Sequence, residues 1–144
     1  MLLDLDHVGV AVRSLEDALK VWKDVLGLEV GGVHQVPSQN ARVAFLPVGG
    51  TCVELLEPTS PDGALARFLE ARGEGVQHLC FRVADIRAAL ERLKAAGVRL
   101  IDEQPREGAR GRVAFLHPKG TTGVLVELVE PASSGGDHPE RQGG

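Results

Sequence analysis

Hydrophobic and polar positions alternate from residue 5 onward. Val8, Val10 and Val12 fall on one side of an extended segment, and His7, Gly9 and Ala11 fall on the other. The spacing predicts a strand over 5–12, followed by Ser14 as a helix N-cap. Leu15, Ala18, Leu19, Trp22, Val25 and Leu26 then recur at helical intervals up to Gly27. A second stretch repeats the plan, with Asp85 as cap, Ile86, Ala89, Leu90, Leu93 and Ala96 on one stripe, and Gly97 as stop. Short strands are expected near 28–35, 41–48 and 51–57, and again near 98–103, 111–117 and 123–130. Gly49-Gly50 and Gly120-Thr121-Thr122-Gly123 mark the turns. Ser60-Pro61-Asp62 reads as the start of a linker helix with Leu65, Phe68 and Leu69 as its apolar face.

The two stretches are copies. Arg42-Val43-Ala44-Phe45-Leu46 recurs letter for letter as Arg112-Val113-Ala114-Phe115-Leu116, an offset of 70. Glu54-Leu55-Leu56-Glu57-Pro58 returns as Glu127-Leu128-Val129-Glu130-Pro131 at 73, and the strand starting at His7 parallels the one starting at His78 at 71. Three matches in one order argue for duplication. The fold class expected is α+β, with two pseudo-symmetric strand-helix-three-strand (βαβββ) modules forming a curved sheet around a metal site. One domain covers 1–131: module one at 3–58, the linker helix at 60–73, module two at 75–131. The stretch 132–144 is rich in Gly, Ser and Pro without periodicity and reads as a disordered tail. A copy of about 60 residues buries too little surface to stand alone, so the modules are expected to pair and share a concave face.

Composition narrows the function. In 144 residues, 16 Lys and Arg stand against 20 Asp and Glu, with no Tyr, one Trp and four Phe. That is a poor surface for phosphate backbones and a poor stock of stacking rings, so nucleic acid is not expected as a partner. No apolar run approaches the roughly 20 residues a membrane helix needs, and no leader-like start is visible, so neither membrane nor secretion is expected. Cys52 and Cys80 read as reduced thiols of a cytoplasmic protein.

Each copy offers one His on its first strand and one Glu on its last, and both recur at matching places. Pseudo-twofold pairing would gather His7, Glu54, His78 and Glu127 about one point. Two imidazoles and two carboxylates suit a divalent first-row ion (Co, Mn, Ni or Zn) with positions open to water or substrate. A closed structural zinc site would more often use thiolates. His117 and Lys119, in His117-Pro118-Lys119, and Arg110, in a mildly basic run from Arg99 to Lys119, are candidates to meet an anionic substrate.

Leu5-Asp6-His7-Val8-Gly9-Val10-Ala11-Val12, Gly73-Glu74-Gly75-Val76-Gln77-His78-Leu79, and Phe115-Leu116-His117-Pro118-Lys119 followed by Gly123-Val124-Leu125-Val126-Glu127-Leu128 carry a resemblance. Over about residues 3–131 the chain resembles the vicinal oxygen chelate (glyoxalase/bleomycin resistance/dioxygenase) superfamily, and within it the methylmalonyl-CoA epimerase branch. The resemblance implies metal ligands at His7, Glu54, His78 and Glu127, an acyl-CoA substrate, a homodimer, and metal-dependent interconversion of the R and S epimers of methylmalonyl-CoA through an enolate. Glu127 is the expected acid/base, with Glu54 or a water as the second. Some members of that branch carry a further glutamate on the strand occupied here by 42–46, where this chain has Val43. The alternatives are a glyoxalase I-type lactoylglutathione lyase, an extradiol dioxygenase, and a non-catalytic ligand-sequestering protein of the same fold. Four protein ligands weigh against the dioxygenase, and 3% aromatic residues is thin for sequestration.

Overall fold

A computed structural model describes residues 1–132; all but the first residue of the tail expected at 132–144 lies outside the described residues. The elements run β1 (Leu2–Ala11), α1 (Leu15–Leu19), β2 (Gly32–Val36), β3 (Ala41–Val48), β4 (Thr51–Pro58), α2 (Ala64–Arg72), β5 (Gly75–Val83), α3 (Ile86–Ala95), β6 (Arg106–Glu107), β7 (Gly111–Leu116) and β8 (Leu125–Pro131). The fold is therefore α+β, built from two βαβββ copies with α2 between them. Two compact units can be distinguished among the described residues: His7–Gln77, and those from His78 together with Met1–Asp6. Both boundaries fall immediately before a histidine of the repeat.

In the first unit the strands lie in the order β2-β3-β4-β1, with β1 and β4 parallel and the other pairs antiparallel. The second unit repeats this as β5-β8-β7-β6, with β5 and β8 parallel. Strand alternation sorts the core as the pattern predicts. Val8, Val10 and Val12 pack with Leu15, Ala18, Leu19 and Trp22, beneath the first helix. Ala11, Val43, Phe45, Cys52 and Leu56 form the opposite face, which Leu65 and Leu69 of α2 cover. In the second unit Val83, Ala114, Leu116, Val126 and Leu128 pack on Ile86, Ala89 and Leu90 of α3, while Cys80, Val113 and Val129 form the other face.

The helix caps match the sequence. Ser14 accepts from the Asp17 amide and Asp85 from the Ala88 amide, and Gly27 and Gly97 end the helical stretches at φ 81° and 79°. Four expectations need correction. The first helix does not continue as one α-helix to Gly27: residues Lys20–Val25 wind as a π-helix, with the Leu26 amide bonded to the Val21 carbonyl. That wider turn carries Val25 and Leu26 off the buried stripe, leaving them 77% and 58% exposed. Ala96 on the second stripe is likewise exposed. No strand forms over 98–103. The Ile101 and Asp102 amides both bond the Phe115 carbonyl, Leu100 makes one isolated bridge to Leu116, and pairing resumes only at Arg106–Glu107. Finally, α2 starts at Ala64 after Gly63, because Ser60 spends its hydroxyl on a turn with the Asp62 amide. Among the described residues no helix is long and apolar enough to cross a membrane.

Candidate active site

In the first unit, Glu54 of β4 lies opposite Gly9 of β1 and Phe45 of β3, and His7 stands two residues before Gly9 on the same face. In the second, Glu127 of β8 lies opposite Cys80 of β5 and Phe115 of β7, and His78 stands two residues before Cys80. One register is thus used twice. It brings His7 Nδ1 to 3.1 Å from a Glu54 carboxylate oxygen and His78 Nε2 to 3.2 Å from one of Glu127. All four residues are buried, at 3–6% exposure. A glutamate among Cys52, Leu56 and Phe45, or among Cys80, Val113 and Val129, would be costly to bury alone, and the imidazole supplies its partner.

The donor chemistry fits a metal. Two ligand atoms that each sit about 2.1 Å from one first-row cation are themselves about 3 Å apart, which is the spacing each His–Glu pair holds. Each unit therefore holds one imidazole nitrogen and one carboxylate oxygen at a spacing compatible with a cation.

The second glutamate of each repeated motif does different work. Glu57 accepts from the Leu15 amide at 3.0 Å and pairs with Arg42 at 3.8 Å. Glu130 accepts from the Ile86 amide at 2.9 Å and from Arg112 at 2.7 Å. These carboxylates satisfy the first amides of their helices, and the Arg of each Arg-Val-Ala-Phe-Leu copy faces its Glu across the strand pair. The Ile86 amide and then Arg112 hold the Glu130 carboxyl below its ordinary range, and Glu130 in turn raises the Arg112 guanidinium. Sequence reasoning left Glu57 and Glu130 without a role, although their recurrence with Arg42 and Arg112 was the visible signal.

The basic run from Arg99 to Lys119 divides. Arg110 donates to Asp6 at 2.7 Å; Asp6 is 1% exposed and also faces Arg82 at 3.5 Å. Arg110 is thereby held as the partner of a buried carboxylate. His117 accepts the Lys119 amide through Nδ1 and caps the 3₁₀ turn Pro118–Gly120. Partial desolvation, with Arg99 and Lys119 nearby, pushes its imidazole below the usual range, which favours the neutral acceptor form. The Lys119 ammonium is exposed. Val43 is 1% exposed within the apolar cluster under Leu65 and Leu69, and its counterpart Val113 is also apolar, so neither unit presents a carboxylate from this position. Asp6 and Asp102, both engaged inside the second unit, were missed because a lone Asp carries no spacing signal.

The profile of the Glyoxalase/Bleomycin resistance protein/Dioxygenase superfamily matches residues 6–115. The chain is 42% identical over 133 residues to the ethylmalonyl-CoA/methylmalonyl-CoA epimerase of Cereibacter sphaeroides, covering 90% of this chain and 99% of that protein. Among solved structures, the methylmalonyl-CoA epimerase of Mycobacterium tuberculosis is 40% identical with a TM-score of 0.86, over 92% of this chain and 91% of that one. A methylmalonyl-CoA epimerase in complex with methylmalonyl-CoA and NH4+ is 36% identical with a TM-score of 0.84, over 92% and 97%.

Proposed function

From a chain that belongs to the glyoxalase/bleomycin resistance protein/dioxygenase superfamily, we propose an epimerase that interconverts the two epimers of methylmalonyl-CoA. The observation that carries the reading is the twice-used register that buries one His–Glu pair in each unit. The relatives named as epimerases of this substrate class support it.

In this proposal His7, Glu54, His78 and Glu127 hold one divalent ion. When bound, it supplies Lewis-acid polarisation of the thioester carbonyl. Glu127 takes the α-proton from one face of the substrate, and Glu54 or a water returns a proton to the other. Glu127 is buried, so its carboxylate would take the proton in a setting shielded from bulk water. His117 and Lys119 contribute to binding the acyl-CoA. Arg110 contributes by holding Asp6, the residue that precedes His7, and so acts through the backbone at that ligand. A cytosolic homodimer completes the proposal.

The test follows the α-proton of methylmalonyl-CoA into deuterated water with the Co²⁺-loaded protein. Exchange is expected, and Glu127→Gln is expected to lower its rate by about 10²–10⁴-fold. The hemithioacetal of methylglyoxal and glutathione should not turn over. Its turnover without α-proton exchange on the CoA ester would replace this reading with the lyase one.

A further inference from the structure

The second unit carries an exposed guanidinium against the wall of its His–Glu pair. Phe115 lies opposite Glu127 in register, and its ring meets His78 edge-on at 6.1 Å between centroids. Over that ring, 5.6 Å from its centroid, lies the guanidinium carbon of Arg106. Asp102 fixes the arrangement: one carboxylate oxygen accepts the Phe115 amide at 2.9 Å and the other takes Arg106 Nε at 3.1 Å. The side chain of Arg106 stays 50% exposed, and that is its only ion pair among the described residues. Its neighbours are committed more tightly. Arg82 lies 2.8 Å from Asp4, Arg110 2.7 Å from Asp6, and Arg112 2.7 Å from Glu130.

The duplication gives an internal control. His34 faces Val43 in register as Arg106 faces Val113, and His34 lies against Phe45 at 5.3 Å as Arg106 lies against Phe115. The architecture is the same in both units, but only the second places a permanent cation there. A planar guanidinium held through Nε, in a side chain that stays half exposed, matches phosphate geometry better than an imidazole does. If the fold alone required a flat group on the phenylalanine, the imidazole of His34 shows that a guanidinium was not needed for it.

Resting on the epimerase reading above, we propose that Arg106 binds a phosphate group of the CoA moiety, anchoring the substrate at the edge of the His78–Glu127 pair. The diphosphate and the 3′-phosphate of the CoA moiety are the two sources from which that phosphate can come. The stack on Phe115 pre-orients the guanidinium, so little side-chain freedom is lost on binding.

The test uses the full chain loaded with Co²⁺. Arg106→Gln should raise KM for methylmalonyl-CoA about tenfold with kcat changed by less than about twofold. It should also cut the preference for the CoA ester over methylmalonyl-pantetheine, which lacks both phosphate sites, by the same factor. R106K should recover part of the loss. Calorimetry with CoA alone needs no turnover, and the variant should bind about tenfold more weakly. A loss that persists with dephospho-CoA assigns the contact to the diphosphate, and one that vanishes assigns it to the 3′-phosphate. Equal KM increases for both esters, or unchanged CoA affinity in a variant that melts like the wild type, would overturn the assignment. A wild-type protein that binds CoA in an Arg106-dependent way yet exchanges no α-proton would sink the epimerase reading and leave Arg106 in place. A wild type that neither binds CoA nor exchanges the α-proton would overturn both.

Discussion

Two glutamates three residues apart in the same strand motif face different tasks, and their side-chain partners separate them. Glu127 turns to His78, while Glu130 turns to the first amide of α3 and to Arg112. Because the amide and the guanidinium both favour the carboxylate, Glu130 ionises below its ordinary value of 4.5. A carboxyl depressed in the folded state contributes stability that is complete above the unfolded value and is lost as pH falls through the folded one. Glu130→Gln should therefore cost about 1 kcal/mol at neutral pH. The gap between variant and wild type should narrow below pH 4.5, as read from chemical denaturation at a series of pH values. A gap that holds constant into acid would place the loss in packing and not in charge.

At the scale of elements, the duplicated strands are near-copies but not interchangeable. Ala41 and Gly111 occupy matching places, opposite Pro58 and Pro131. Ala41 keeps its methyl buried, whereas a Cβ at Gly111 would collide with the Glu130 carbonyl and come within 2.9 Å of the Pro131 Cα. Those obstacles are backbone and cannot rotate away, so Gly111→Ala should destabilise by about 1–3 kcal/mol, measured by thermal or denaturant unfolding. Likewise, Leu69→Ala should open a cavity where α2 covers the Val43 face and cost about 2–5 kcal/mol. Both caps, both helix stops, and the inward and outward faces of β1 and β5 were legible because alternation and capping are local chemistry. The π-helical turn at Lys20–Val25 was not, since a pattern of apolar residues at helical intervals does not report an extra residue in one turn. The missing strand at 98–103 was hidden for a related reason. Val98, Leu100 and Ile101 read as strand residues, but the Ile101 and Asp102 amides share the Phe115 carbonyl and the Asp102 side chain accepts the Phe115 amide, which turns the chain off the ladder.

For the whole molecule, duplication delivers one buried His–Glu pair per unit, and the epimerase proposal joins them through a single cation. The four candidate ligands were readable from recurrence alone, whereas the separation of Arg110 and Arg112 from Arg106 was not, because it depends on which carboxylates the fold brings to each guanidinium. An ion that binds only the folded chain stabilises it by mass action, about 2.7 kcal/mol at a hundredfold excess over Kd. Chelation should accordingly lower the melting temperature and Co²⁺ should restore it, with His7→Ala insensitive to both treatments. The most direct measurement of the central claim is the stoichiometry of Co²⁺ binding to the purified chain by titration calorimetry, repeated on His7→Ala and His78→Ala. One ion per chain is expected, with tight binding lost in either variant. Two ions per chain, or full-affinity binding that survives removal of one histidine, would contradict it.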